Sequence, residues 1–316
     1  MKLALAGDTM LGRAVGEAIE RRSAASVVHP GVIEAIGDHD LFVLNLECCI
    51  STRGERWPDP RKPFFFRGPP QAVEVLTGLG VDCVTLANNH ALDYGYEALA
   101  DTLEYLAAAG IVAVGAGENE QAARRPKTLE VGGFRLRIVA FADHPADFAA
   151  GPDSPGISYV DLSHRLPDWV RMAVSASPDP VLVTPHWGPN MTEEPVPSVL
   201  RAAQALRDAG ATLVAGHSAH VFHGIAERVI YDMGDFVDDY AVDPRLRNDL
   251  GLVFMVDLTP SGPRRIEAIP IVLEFCHTRL AVDDEVDWIE RRLRRACGAM
   301  GTDVTRVGDR FLVETA

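Results

Sequence analysis

Short, continuous apolar runs recur along the chain, and nearly every one ends in a polar or ionisable residue. "KLALAGD" (2–8) closes on Gly-Asp and "LFVLNLE" (41–47) on Glu. "VDCVTLANNH" (81–90), "GIVAVGAG" (110–117), "FRLRIVAFAD" (134–143), "PVLVTPHWG" (180–188) and "ATLVAGHSAH" (211–220) repeat the pattern. Runs of this kind predict buried strands. Between them the apolar spacing changes to a helical period. "GPPQAVEVLTGLG" (68–80) has proline near its start and a glycine stop, "YEALADTLEYLAAAG" (96–110) repeats the stop, and "SVLRAAQALRDAG" (198–210) ends in glycine just before a strand. Strand, helix and strand joined by short loops predict βαβ units, hence an α/β fold whose parallel or mixed sheet is covered by helices.

After residue 258 the pattern changes. Residues 264–281 read as an extended segment, 285–301 as an amphipathic helix and 305–314 as a hairpin. With no repeat or flexible linker, the simplest organisation is one domain over 1–316, a core over 1–258 and an extension over 259–316 packed on it.

Composition narrows the function classes. The 316 residues are 47% apolar and 24% charged, an ordinary globular balance. The net charge of -15 excludes a general nucleic-acid surface and favours cationic partners such as metal ions. No stretch approaches the roughly 18 apolar residues of a membrane span, and "MKLALAG" runs straight into Asp8 without a signal peptide. Cys48, Cys49, Cys83, Cys276 and Cys297 lack C-x-x-C spacing and read as reduced thiols. The expectation is a cytoplasmic protein with no membrane partner.

In open α/β sheets, ligands bind outside the carboxyl ends of the strands. There this chain places Asp8, Glu47, Asn88, Asn89, His90, His186, His217 and His220. Alone, a strand-end carboxylate or asparagine is explained by capping, and a lone histidine by a hydrogen-bonded core position. Five strands delivering such groups to one edge favour a metal site. Carboxylate and amide oxygens mixed with imidazole nitrogens suit Mn, Fe or Zn, and the set has about enough ligands for two divalent ions.

The blocks "LAGDTMLGR", "LNLECCIS", "KPFFFRGPP", "VTLANNHALDYG", "GIVAVGAG", "HWG" and "AGHSAHVFHGI" resemble, in order, those of the CapA family, named for poly-gamma-glutamate capsule synthesis and grouped with calcineurin-like metallophosphoesterases. The resemblance implies a four-layer αββα sandwich with a two-metal site at one edge. By position Asp8 resembles a first-metal carboxylate, Glu47 the bridging carboxylate and His220 a first-metal ligand. Asn89, His186 and His217 resemble second-metal ligands, and His90 the histidine that assists the leaving group. Asp93 is expected either to orient His90 or to cap a helix. Arg13 and Arg67 are candidates for gripping an anionic substrate group, because guanidinium matches carboxylate or phosphate with two parallel bonds. His223 falls outside the ligand set and is left as a structural or substrate-side histidine.

Two departures from the wider phosphoesterase pattern, both shared by CapA-like chains, support the family resemblance while weakening ordinary phosphatase activity, and a third is local to this chain. Met10 stands where wider phosphoesterases carry a histidine, and Glu47 where they carry aspartate. "YDMGDFVDDY" replaces the common "YSLGNFVF", adding Asp232, Asp235, Asp238 and Asp239, a run that could bind a cationic substrate group or another ion near the metal site but is expected to be a solvated face. The leading functional expectation is a metal-dependent hydrolase acting on a phosphoester or amide-like bond of a small anionic, glutamyl- or phosphate-bearing substrate. The alternatives are an accessory or transferase role in making or processing poly-gamma-glutamate, and a non-catalytic metal-binding protein.

Overall fold

The computed structural model describes residues 1–314. The chain begins β1 (Lys2–Thr9), α1 (Arg13–Arg21), α2 (Pro30–Ile36), β2 (Leu41–Leu46), β3 (Cys49–Ile50), β4 (Arg67–Gly68), α3 (Ala72–Gly78), β5 (Cys83–Thr85), α4 (Gly95–Ala108), β6 (Val112–Val114) and β7 (Ala116–Gly117). It continues through α5 (Glu120–Ala123), β8 (Lys127–Val131), β9 (Phe134–Ala142), β10 (Gly156–Ile157), α6 (Asp168–Ser175), β11 (Val181–His186), α7 (Pro197–Asp208) and β12 (Leu213–Ala215). The remainder is β13 (Ile225–Ala226), β14 (Val229–Ile230), β15 (Asp235–Val237), β16 (Leu250–Thr259), β17 (Gly262–Glu274), β18 (His277–Leu280), α8 (Asp283–Gly298), β19 (Val304–Val307) and β20 (Arg310–Val313).

Two mixed sheets carry the fold. The larger runs β19-β20-β17-β16-β1-β2-β5-β6, with β15 beside β1 and β18 beside β17; the smaller runs β13-β14-β12-β11-β9-β8. In the first, β1, β2, β5, β6 and β15 are parallel, and in the second β9, β11, β12 and β14 are. Their carboxyl ends therefore collect at one edge of each sheet.

Side-chain alternation in the smaller sheet shows how the layers stack. Leu136, Ile138 and Ala140 of β9, Leu182 of β11 and Leu213 and Ala215 of β12 join the core that holds β1, β2 and β16. Their alternates Val139, Phe141, Val181, Val183 and Val214 join a second core with Val170 and Val174 of α6 and Val199, Ala203 and Leu206 of α7. One face thus packs on the larger sheet and the other on helices, the period-2 consequence of a strand buried on both sides. Leu76 of α3 and Leu99 and Leu106 of α4 belong to the first core and cover the larger sheet, completing an αββα order. Each fully buried Leu or Phe here contributes roughly 1.5–3 kcal/mol of burial free energy.

The strands are shorter than their apolar runs. β5 ends at Thr85, so Leu86 to His90 have already left the sheet and form the turn that carries the site's amides. The segment after 258 holds the expected extended stretch, helix and hairpin, and its strands join the larger sheet edge to edge: β16 pairs with β17 along its length and β20 pairs with β17.

Candidate metal centre

Asp8 is the centre of the site because of where β1 sits. Its register partners are Asn45 on β2 and Asp235 on β15, so three parallel strands deliver polar groups to one level. Asn45 Nδ2 donates to Asp8 Oδ1 at 2.8 Å, and Asn45 Oδ1 accepts from Thr85 Oγ1 at 2.8 Å and Asn88 Nδ2 at 3.0 Å. This chain of buried bonds fixes the Asp8 carboxylate. Glu47 follows directly on β2, and Tyr240 Oη donates to its Oε2 at 3.2 Å.

The turn after β12 brings the histidines. Ser218 and His220 both have positive φ, 112° and 59°, a conformation that side chains adopt only where surroundings impose it. Those surroundings are visible: Asp232 accepts from the amides of Ala219 (2.8 Å) and Gly234 (2.9 Å), tying the turn to the segment before β15. His217 Nδ1 lies 3.2 Å from Asp8 Oδ1. His220 Nδ1 lies 2.8 Å from Asp235 Oδ1, 3.6 Å from Asp8 Oδ2 and 4.0 Å from Glu47 Oε2. Gly7 lets the strands close: a Cβ there would overlap the Gly234 carbonyl.

One ligand atom each of Asp8, Glu47, His220 and Asp235 lie within 4.8 Å of one another, and all four residues are buried. Burial and the neighbouring Asp8 charge push the Glu47 carboxyl well above its usual range; burial, then Asp238 and Asp8, do the same to Asp235. Burial also acts to raise Asp8, but His217, 3.2 Å away, and the charges of His186 and His220 hold it low. Burial drives His186 well below the ordinary imidazole value. It opposes charging His220 too, yet Glu47, Asp8, Asp232 and Asp238 outweigh it and raise that pKa.

The site's unmade bonds test its fit to a metal. Glu47 Oε1, Asp235 Oδ2, Asn89 Oδ1, His217 Nδ1 and both ring nitrogens of His186 are buried without a hydrogen-bond partner. Leaving one such atom unpaired costs about 1–3 kcal/mol. The five residues together, each able to offer one carboxylate, amide-oxygen or imidazole lone pair, fit the demand of a divalent cation.

Beside this cluster, His90 Nδ1 meets Asp93 Oδ2 at 2.6 Å while its ring stacks on Phe66 at 3.8 Å. Burial lowers its pKa to about 4, against the pull of Asp93. Asp93 also takes the Phe66 amide at 2.6 Å and the Lys62 ammonium at 2.9 Å. Of the two roles expected for it, orienting His90 is the one seen; the residue preceding α4 is Tyr94, and no side chain caps it. His90 and His220 line a cavity of about 310 Å³ with Arg13, Phe66, Tyr240 and Asn190.

The arginine and acidic-run expectations divide. Arg13 reaches the cavity, paired with Asp239 at 2.9 Å and lying over Phe66 at 5.3 Å. Arg67 does not: its guanidinium bonds the Arg53 and Gly54 carbonyls and lies over Tyr94 at 4.0 Å, a loop-bracing role. His223 Nε2 bonds the Thr192 carbonyl at 2.8 Å, so it holds the 189–197 loop. The run at 232–239 is not a solvated face. Asp232, Asp235, Asp238 and Asp239 are all buried, because β15 is inserted beside β1.

The sequence reading missed Asp235, Asn45, Tyr240 and Lys62. A signal existed for Asn45, a polar residue inside the apolar run "LFVLNLE", and for Asp235, which stands in the acidic run 232–239; none existed for Tyr240 and Lys62.

Comparison with known proteins agrees with the block order. The sequence profile described as "Bacterial capsule synthesis protein PGA_cap" matches residues 2–240. The chain is 34% identical to a "Probable polyglutamine synthesis accessory protein" of Mycobacterium tuberculosis over 294 residues, 86% of this chain and 76% of that one. It is 30% identical to the "PGA biosynthesis protein CapA" of Bacillus subtilis over 272 residues, 84% of this chain and 70% of that one. Among solved structures, a hypothetical protein from Thermus thermophilus matches with TM-score 0.45 and 19% identity, covering 88% of this chain and 96% of that one. The profile match and these identities establish that the chain belongs to the bacterial capsule synthesis (PGA_cap) family.

Proposed function

We propose that the protein is a metal-dependent hydrolase acting on a phosphoester or amide-like bond of an anionic substrate. The observation that carries this reading is the set of buried, unpaired oxygen and nitrogen atoms on Glu47, Asp235, Asn89, His186 and His217 around Asp8. Asp8, Glu47, His220 and Asp235 would hold one divalent ion, and His186, His217 and Asn89 a second. When bound, such ions supply Lewis acidity and make water acidic enough to act as a nucleophile near neutral pH.

The protein's own residues supply the rest. The Asp93 carboxylate can only accept, so the His90 Nδ1 at 2.6 Å donates, and in the neutral ring Nε2 remains an acceptor. His90 would take a proton from the attacking water or hydroxyl and return it to the leaving group, with Asp93 balancing the transient charge. Arg13 would orient the substrate's anionic group, and Phe66 and Tyr240 narrow the cavity against bulk water.

Elemental analysis of purified protein, followed by assays on bis-p-nitrophenyl phosphate, p-nitrophenyl phosphate and gamma-glutamyl-p-nitroanilide, tests the reading. Bound transition metal, turnover of one of these, and loss of both in His217→Ala are expected. Protein without metal, or metal and turnover untouched by His217→Ala, would overturn it. The names of the relatives favour a second reading, an accessory part in building a glutamyl polymer. It predicts bound metal and no turnover of any of the three substrates.

A further inference from the structure

The block "KPFFFRGPP" carries three consecutive phenylalanines, Phe64 to Phe66, and the chemistry above uses only the last. In an extended segment successive side chains point to opposite sides, and they divide that way here. Phe65 packs against Tyr94 at 6.4 Å, with Arg56 over its face at 5.1 Å, and takes no part in the cavity. Phe64 and Phe66 both line it.

Phe64 is the outer end of a row of rings. Tyr240, whose hydroxyl meets Glu47, lies 5.7 Å from Phe66 with 29° between their planes, and Phe66 lies 6.4 Å from Phe64 with 20° between theirs. The row leads from the metal cluster to solvent: Phe66 is 2% exposed beneath His90, whereas Phe64 is 57% exposed. Among the described residues, Phe64 has no ring or cation contact besides Phe66 and Arg13. Met191 is the cavity's other exposed apolar side chain, and it is held in place. Its φ is 55°, a costly conformation for such a residue, and its amide bonds the Ala219 carbonyl at 2.9 Å. The neighbouring Asn190 amide meets His220 Nε2 at 3.1 Å.

Charge and size narrow what could cover these two side chains. Arg13 is the only arginine or lysine on the cavity wall, and buried Asp239 pairs with it at 2.9 Å. The wall can therefore meet one anionic group and no run of them. At about 310 Å³ the cavity stands near the lower end of the roughly 300–1,000 Å³ typical of small-molecule sites, room for one ring and one anionic group. A flat ring continues a row of near-parallel rings, and a thioether makes favourable contacts with aromatic groups. We propose that the mouth of the cavity is a subsite for a planar aromatic group of the substrate, stacked on Phe64 and covered by Met191, with the anionic group deeper, beside Arg13 and His220. This deepens the hydrolase reading and rests on it for the position of the anionic group.

Isothermal titration calorimetry of the protein as purified with phenylphosphonate, hexylphosphonate and methylphosphonate tests the proposal. The three share an anionic head and differ in the tail. The phenyl compound is expected to bind at least about tenfold tighter than the methyl compound and several-fold tighter than the hexyl compound. Phe64→Ala should bring the phenyl-to-methyl ratio below about threefold. Phe64→Leu keeps apolar area without the ring and should lose the advantage of phenyl over hexyl, which Phe64→Tyr should restore. The side chain replaced is exposed, and circular dichroism melts check that each variant folds. Hexyl binding as tight as phenyl, a phenyl preference that survives Phe64→Ala, or no binding of phenylphosphonate would overturn the proposal. The ratio is read without turnover, so its absence leaves the hydrolase reading standing. A protein that shows the ratio and cleaves no ester or amide keeps the subsite and loses the hydrolase reading.

Discussion

Replacing Asp93 by alanine is expected to cost the protein about 5 kcal/mol of stability. The residue is wholly buried, and its carboxylate serves three donors: the Phe66 amide at 2.6 Å, His90 Nδ1 at 2.6 Å and Lys62 Nζ at 2.9 Å. Unit charges 2.9 Å apart attract by roughly 6 kcal/mol at an effective dielectric constant of about 20. Desolvation of both charges offsets much of that, but deleting Asp93 leaves the buried Lys62 ammonium with only the Asn89 carbonyl at 2.7 Å and no counter-charge. The Lys62 side chain is only 12% exposed, and breaking a pair this deep costs about 3–5 kcal/mol. The orphaned Phe66 amide adds about 1–3 kcal/mol. Asn at this position should cost about half as much, since its oxygen keeps the Phe66 amide while its NH2 faces the Lys62 ammonium. Adding Lys62→Met to Asp93→Asn removes the stranded cation and should restore about 2 kcal/mol. Urea unfolding followed by circular dichroism reads wild type, Asp93→Ala, Asp93→Asn, Lys62→Met and the Asp93→Asn/Lys62→Met double variant. A loss below about 1 kcal/mol for Asp93→Ala, or simple additivity of the Lys62 and Asp93 changes, would show that the carboxylate is not the hub described.

Two further outcomes are expected. In chelated protein, burial raises the Asp238 pKa from 3.8 to about 6, so between those values the folded state keeps a proton that the unfolded chain releases. Stability is therefore full below about pH 4 and falls by roughly 3 kcal/mol as pH rises through 6; Asp238→Asn should match wild type at pH 4 and exceed it at pH 8 in urea midpoints, and equal midpoints at both would refute this. Burial pushes the thiol of Cys48 up to about 12 and those of Cys276 and Cys297 to about 11. Native protein at pH 7.5 should consequently react slowly with Ellman's reagent at every cysteine, and rapid labelling of Cys48 or Cys49 would contradict the burial described.

Much of the centre was legible because apolar strands that end in polar groups carry their own address. Asp8, Glu47, His186 and His217 sit at or just after strand ends, so the sheet rule alone gathers them. Asp235 could not be found that way. Its segment reads as a charge run, and only the parallel pairing of β15 with β1, between residues more than two hundred apart in sequence, places it opposite Asp8. Arg67 misled because its chemistry is right and its location wrong: the carbonyls of Arg53 and Gly54 claim the guanidinium.

The pairing of β1 also governs the order in which the molecule can be finished. Lys2 to Leu5 bond to Asp257 to Phe254, and Asp8 faces Asp235, so one whole side of this strand waits for chain made about 250 residues later. At roughly 5–20 residues per second, an apolar strand with an open edge persists on the ribosome for tens of seconds. Such an edge is a template for wrong partners, which makes the growing chain a natural client for chaperones and a risk in fast recombinant expression. It also means that the cluster of Asp8, Glu47, His220 and Asp235 is assembled only once β15 has closed against the first strand.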